Sequence, residues 1–352
     1  MDALPRRVLP GLGAEASALG AGCWTIGGPA TTNGGIPIGW DGVNPDAAYA
    51  GLVRAHELGV SLFDTADVYG LGTSERLLGR LLRTLNRGSV VVSSKVGYFA
   101  GTAHHPYMPA QMRHQFATTL DNLGTDYVDI YYLHSSDFGE DDRYLPGAVE
   151  IIAQLRAQGL IRAVGIRAPH IFAEEWAASN GANAAETARF LRLFHTIHPE
   201  VVTARYNLLS PLYGHDETDI FAFTRRHGAG VIIKQALRQG LLVKPDLYAL
   251  PTFSAADHRS RDPEFHHHAL TALRQRLAPI RARFGDTPAE MARVALRYVL
   301  QTAPDSPVLV GFRNADQIHT TVTSLGDPLT EDDIAGIRAT LHPTATRKEP
   351  VS

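Results

Sequence analysis

Short runs of β-branched and apolar residues recur along the chain, separated by longer stretches in which apolar positions return every three or four residues. The runs fall at 60–63, 90–94, 128–133, 161–166, 201–204, 231–233 and 308–310, and an eighth fits within 18–24. Near-continuous apolar character over so few residues is what parallel strands covered on both faces require. Between the runs the period is helical. Leu77, Leu78, Leu81, Leu82 and Leu85 make one stripe, with Thr73 or Ser74 placed to cap its start. Ala148, Ile151, Ile152 and Leu155 make another, ended by Gly159. A third pattern runs over 288–300 and opens on Pro288.

Strand and helix patterns alternate eight times without a glycine- or proline-rich linker to divide them. This predicts a single-domain α/β fold, a (β/α)8 TIM barrel, with an open doubly wound sheet as the alternative. The expected boundaries are an N-terminal hairpin over 1–17, the barrel over 18–342 and a flexible tail over 343–352. Gly11-x-Gly13-x-x-Ala16 has the spacing of a dinucleotide fingerprint, but no strand precedes it and no ribose-binding acid follows about 20 residues on. A hairpin covering the barrel bottom is the better reading. The connections 28–44, 98–109 and 135–144 follow strands, so a barrel raises them on its C-terminal face, where active sites form. The connection 243–268 is long as well, and long loops in compact domains are commonly functional.

Composition narrows the function. Basic residues number 33 and acidic residues 36, and no basic block stands out, so neither nucleic acid nor an anionic membrane is an expected partner. Cys23 is the single cysteine, which excludes an internal disulfide and a thiolate zinc site and suits a reducing compartment. With no spanning apolar run and no signal-like N-terminus, the expected location is the cytoplasm. His104-His105 and His266-His267-His268 lack the i, i+4 spacing of a helical metal site, so no metal is expected.

The chemistry gathers at three strand ends. Asp64 and Tyr69 lie five residues apart where the strand over 60–63 gives way to a helix; Lys95 and His134 end the next two strands. A phenol titrating at about 10 is a weak acid at neutral pH, and a neighbouring ammonium favours its ionisation. Lys95 can supply that charge, Asp64 can hold Lys95, and His134 can orient a carbonyl oxygen.

These residues stand in Phe63-Asp64-Thr65-Ala66-x-x-Tyr69-Gly70, Ser74-Glu75, Ser93-Ser94-Lys95 and Leu133-His134. Together with Gly165, Tyr206-Asn207-Leu208-Leu209, Gly240-Leu241-Leu242 and Gly311-Phe312-Arg313-Asn314-x-Asp316-Gln317, they resemble the aldo-keto reductase family from about Leu19 to Leu341. The resemblance implies the (β/α)8 barrel and an NADPH-dependent oxidoreductase that reduces an aldehyde or ketone to an alcohol, NADH remaining open. It implies Asp64, Tyr69, Lys95 and His134 as catalytic residues, with Tyr69 as general acid. It also marks Trp24, Arg167, Tyr206, Leu237, Gly240, Gly311, Arg313, Gln317 and Thr321 along the cofactor, with Arg313 at the adenosine 2′-phosphate. The implied partner is a small-molecule carbonyl substrate, sugar-like or a natural-product intermediate; oligomeric state is open. His104, Tyr107 and Trp24 are candidate pocket walls.

The nicotinamide end departs from the family pattern. Arg167-Ala168 replaces a Ser-Asn pair, Thr203 replaces a Gln, and Lys234 or Gln235 stands where a stacking aromatic is expected. Arg167 could contact an anionic substrate, the cofactor, or a loop carboxylate. These departures keep one alternative open, a non-redox lyase or isomerase on the same fold; a second, a cofactor-sensing regulatory subunit, is implied by the resemblance of the barrel to the β subunits of voltage-gated potassium channels, which keep the same four residues.

Overall fold

The computed structural model describes residues 4–32, 34–249 and 252–343. The chain opens with an antiparallel hairpin, β1 (Arg6–Leu9) and β2 (Ala14–Ser17), turned by Pro10–Leu12 and Gly13. Eight parallel strands then close into a barrel in chain order: β3 (Leu19–Gly22), β4 (Leu62–Asp64), β5 (Val91–Val96), β6 (Val128–Leu133), β7 (Ile161–Arg167), β8 (Val201–Arg205), β9 (Gly230–Lys234) and β10 (Val308–Gly311), which pairs back onto β3. Between and after them run α1 (Pro45–Glu57), α2 (Thr73–Leu82), α3 (Pro109–Leu123), α4 (Leu145–Ala157), α5 (Ala184–Ile197), α6 (Ile220–Arg226), α7 (His267–Phe284), α8 (Pro288–Thr302), α9 (Ala315–Thr323) and α10 (Glu331–Leu341). No helix among the described residues is long and apolar enough to cross a membrane.

Alternation along each strand divides the core in two. Leu62, Val91, Ile130, Tyr132, Ala163, Val201, Ile232 and Leu309 point into the barrel, and Leu9, Leu12 and Ala16 of the hairpin pack beneath them. Gly230 opens β9, and a Cβ there would stand 3.1 Å from Pro10, which places the hairpin under the N-terminal ends of the strands. The opposite strand faces pack on the helices. Gly165 is needed inside: a Cβ on it would run into the Tyr132 ring, which lies across the lumen. Gly70 has φ 62° and abuts the Gly27 carbonyl, so the β4–α2 turn needs glycine on both counts.

Two local expectations are corrected. Neither Thr73 nor Ser74 caps α2, whose N-cap is Gly72. The Ser74 hydroxyl instead donates to the Cys23 carbonyl at 2.9 Å and shares a 2.8 Å hydrogen bond with Thr65, tying the helix to two strand ends. Several strands also run further than their apolar runs suggest, and three of them end on a cation, at Arg167, Arg205 and Lys234. The ladder continues at these polar ends because each is paired, Arg167 opposite Thr203 and Arg205 opposite Lys234. α8 begins as expected at Pro288, with a reciprocal capping box between Thr287 and Glu290. The expected tail, apart from Pro343, lies outside the described residues.

Candidate active site

Side chains two apart along a strand share a face. Leu62 points inward, so Asp64 does too; Val91 leads to Ser93 and Lys95, and Ile130 and Tyr132 lead to His134, whose N–H extends the ladder to the Val96 carbonyl at 2.8 Å. The three groups therefore meet at the C-terminal mouth. Lys95 Nζ donates to Asp64 Oδ2 at 2.7 Å and to the Thr65 carbonyl, while Ser93 Oγ donates to Asp64 Oδ1 at 2.6 Å. Tyr69 arrives from the β4–α2 turn, with Lys95 Nζ 4.8 Å from its ring centroid. His134 stands edge-on to Tyr69 and Tyr98, at 6.1 and 4.7 Å between ring centroids.

The electrostatics follow from burial and from this pairing. Burial pulls the Lys95 ammonium down, but Asp64 and Tyr69 outweigh it and hold Lys95 above the usual lysine range. Burial pushes the Tyr69 phenol up to about 12 even though the charge and hydrogen bond of Lys95 pull it back. Tyr69 thus keeps its proton across the neutral range and can donate it. Burial, then Lys95, Arg167 and Lys234, hold His134 well below the ordinary histidine range. His134 is therefore a neutral imidazole, and its Nδ1 is buried without a partner. Glu75 anchors the neighbouring wall: it accepts from Ser94 at 2.7 Å, Thr119 at 2.9 Å and Asn122 at 2.9 Å, and burial raises it.

The remaining positions marked by the sequence divide. Trp24 sits in the turn after β3, with ring centroids 6.3 Å from Tyr69 and 4.4 Å from His258. Arg167 ends β7; Leu237 and Gly240 form the turn after β9; Gly311, Arg313 and Gln317 follow one another from β10 into α9. Tyr206 does not join the mouth: its ring packs on Phe221 and Tyr298, and its hydroxyl donates to Thr302 at 3.1 Å. Thr321 is buried in α9. Tyr107 is no pocket wall but is fully buried, its hydroxyl accepting from the Ser135 N–H at 2.9 Å and donating to the Ser135 carbonyl at 2.7 Å. Tyr98 takes the place beside His134 instead. His105 stacks on Tyr144, and no group of three or more metal-ligating side chains occurs among the described residues.

Arg313 reaches back to the Asp41 carbonyl at 2.6 Å, and its main-chain N–H is held by Gln317. Arg259 lies near enough to depress it, after burial. Arg313 at the N-terminus of α9, where Asn314 caps the Gln317 N–H, is a chemically suitable receptor for a phosphate, while the Arg259 guanidinium is already paired with Asp257 at 2.6 Å and lies over Trp40 and Phe253. The loop carrying Arg259 is latched across this region: Asp257 accepts from the Asp41 N–H at 2.9 Å, and His258 bonds the Gly39 carbonyl at 3.0 Å and Gln239 at 2.6 Å. Pattern alone gave no reason to pick Asp257, His258 and Arg259 out of a long polar loop; only its length hinted at a role. Arg205 was likewise missed, because it lies one residue beyond its apolar run.

The profile of the aldo/keto reductase family matches residues 18–342. The chain belongs to the aldo/keto reductase family. Its relatives in that family are reductases and dehydrogenases. The chain is 24% identical over 334 residues to an NADH-specific methylglyoxal reductase of Escherichia coli, covering 92% of this chain and 94% of that one. It is 25% identical over 359 residues to L-galactose dehydrogenase of Arabidopsis thaliana, covering 97% and 96%. A glycerol dehydrogenase structure from Gluconobacter oxydans superposes with a TM-score of 0.70 at 24% identity, covering 99% of this chain and 97% of that one. The holo form of an aldo-keto reductase from Bacillus halodurans gives 0.68 at 22% identity, covering 96% of each. Members of this family are NAD(P)H-dependent oxidoreductases, so the protein is an enzyme of that class.

Proposed function

We propose that the protein reduces an aldehyde or ketone to an alcohol with NADPH, using Asp64, Tyr69, Lys95 and His134. The observation that carries this reading is the Asp64–Lys95 pair set under a protonated Tyr69 at the barrel mouth. The chemistry that a nicotinamide held at this mouth would supply is a hydride for the carbonyl carbon. Tyr69 donates its phenolic proton to the carbonyl oxygen as charge develops there. The Lys95 ammonium stabilises the phenolate left behind, and Asp64 keeps Lys95 charged and in place. His134, neutral and with an unpartnered ring nitrogen, orients the carbonyl oxygen by hydrogen bonding. Trp24 and Tyr98 form an aromatic rim that limits water around the reacting atoms.

Arg313 and the N-terminus of α9 would hold the phosphate that distinguishes NADPH from NADH, and Leu237, Gly240 and Gly311 would border the same groove. Titration of the protein with NADPH and NADH, followed by nicotinamide fluorescence, tests this. Arg313→Ala should weaken NADPH about tenfold or more, the loss expected for one charge-assisted phosphate contact, and leave NADH nearly unchanged. Absence of binding by either nucleotide would overturn the reductase reading and return the site to non-redox proton chemistry.

A further inference from the structure

The connection over 28–41 joins two places with different tasks. At its far end, the Asp41 carbonyl accepts from Arg313 Nη2 at 2.6 Å. Three positions earlier, the Ile38 carbonyl accepts from Trp24 Nε1 at 2.8 Å, and the Trp24 ring stands 6.3 Å from that of Tyr69. One short stretch of backbone therefore holds both the phosphate receptor and the rim of the carbonyl pocket. That stretch is an arm folded back on itself. Ile38 donates its N–H to the Ala30 carbonyl at 2.8 Å, Trp40 donates to the Gly28 carbonyl at 3.1 Å, and Thr31 bridges Pro37 in antiparallel sense. Gly39 has no room for a Cβ, which would stand 2.3 Å from the Gly28 oxygen. An arm paired and packed this closely transmits a displacement instead of absorbing it.

A second loop pins the arm from outside. Asp257 Oδ2 accepts from the Asp41 N–H at 2.9 Å, Ser254 Oγ donates to Asp41 Oδ2 at 2.6 Å, and the His258 N–H donates to the Gly39 carbonyl at 3.0 Å. Asp257 is buried, and Arg259 pairs with it at 2.6 Å. The buried Trp40 ring packs between the two loops, 5.5 Å from Trp24 and 4.9 Å from His258, with the Arg259 guanidinium 4.1 Å above it. Trp24, Trp40 and His258 thus form one packed cluster whose position is set by where Asp41 is held. The Arg313 contact uses one N–H of a guanidinium that has five. A phosphate can take others of the same fork, and a guanidinium clamped between a phosphate and a carbonyl fixes that carbonyl.

We propose that the 28–41 arm couples the two places, so that a phosphate on Arg313 fixes Trp24 and lowers KM for the carbonyl substrate, with Asp257 as a positioning residue that acts through Asp41. The inference rests on the reductase reading, which makes Arg313 the receptor of the NADPH phosphate and Trp24 part of the pocket rim. NADH lacks that phosphate and leaves the Arg313 side chain free to leave Asp41. Two cofactors with the same nicotinamide therefore present differently ordered pockets to the same carbonyl. The coupling is reciprocal, so a ligand in the carbonyl pocket tightens NADPH over NADH by the same factor.

The test uses the full-length protein. Of its three tryptophans, Trp24 and Trp40 belong to the cluster, whereas Trp176 lies in the connection after β7 and donates to Glu217. Trp176→Phe leaves the cluster as the source of the emission. Adenosine 2′,5′-bisphosphate, which carries the phosphate without a nicotinamide, should change that emission on binding, and adenosine 5′-monophosphate should not. With butanal as substrate and saturating cofactor, KM should be about three- to tenfold lower with NADPH than with NADH, and kcat should differ less. Asp257→Asn should bring the two KM values within about twofold and abolish the emission change, with the bisphosphate still binding in calorimetry. Ser254→Ala, at an exposed position, should narrow the KM gap in the same direction. A bisphosphate that binds without changing the emission, equal KM values with the two cofactors, or a gap that survives in Asp257→Asn would overturn the proposal and leave the reductase reading in place. Should neither NADPH nor NADH bind, the reductase reading falls, whereas the bisphosphate and the emission of the cluster still decide whether Arg313 is coupled to the arm.

Discussion

The mouth of the barrel has two halves built on the same geometry with opposite electrostatic states. On the β4–β6 side, Lys95 is matched by Asp64, Tyr69 holds its proton and His134 is neutral. That half is complete before anything binds. On the β7–β9 side, three cations face the lumen and only Arg205 is matched within the protein. On the proposed reading, the contrast separates catalysis from recognition. A proton-transfer unit must be set before the substrate arrives, because reorganising charges during reaction is costly. A recognition unit can leave a charge unmatched and let the right ligand complete it.

Removal of the acid itself should have the largest effect. Tyr69→Phe deletes the phenolic proton while leaving the ring over Lys95, and should lower kcat about 10²–10⁴-fold. The NADPH dissociation constant, read by fluorescence, should not move. A variant that retained near-normal turnover would mean that the β4–β6 half is not the proton donor. The next effect is on stability and sets the halves directly against each other. Asp64→Asn breaks a buried pair and leaves Lys95 unmatched, which should cost about 3–5 kcal/mol. Arg167→Gln removes an exposed cation that has no partner, and should change stability by less than about 0.5 kcal/mol. Denaturant unfolding of the two variants measures both. Comparable losses would show that Arg167 has a structural partner and that the second half is complete as well.

How far each half was legible in the sequence follows from the same difference. The barrel could be read because its strands are apolar runs covered on both faces, and such runs have no other use at that length. Asp64, Tyr69, Lys95 and His134 could be picked out because they stand in dense motifs at the ends of those runs. Arg205 could not, and Lys234 was only half seen. Hydrophobicity marks where a strand is buried, but the ladder at the mouth continues by one polar residue, and that residue decides what lines the lumen. Tyr206 shows the reverse error. Its motif placed it near the cofactor, whereas its ring fills a gap between α6 and α8, a contact that depends on helix packing and leaves no local signature. Asp257, His258 and Arg259 act through a loop that reaches the far side of the mouth, and sequence separation hides such partners.

The smallest expected effect is also the sharpest division between the halves, and it is read from pH. For a neutral carbonyl, only the β4–β6 half titrates. His134 is held well below the ordinary histidine range and Tyr69 is pushed up to about 12. The reactive forms, neutral imidazole and protonated phenol, therefore coexist between those limits, and kcat/KM for butanal at saturating NADPH should stay flat from about pH 7 to 10. The cofactor carries negative charge, so its binding additionally draws on Lys234 as an ammonium. In the free enzyme, burial and then Arg167 and Lys95 hold Lys234 well below the usual lysine range, Asp64 opposing them and Arg205 adding to them. The ammonium is thus present at low pH and lost as pH rises. NADPH affinity, read by nicotinamide fluorescence, should therefore fall with rising pH, by at most tenfold per pH unit. Lys234→Met should remove the fall. If butanal turnover at saturating NADPH declines in step, the titrating group belongs to the catalytic half, and the division of labour across the mouth is wrong.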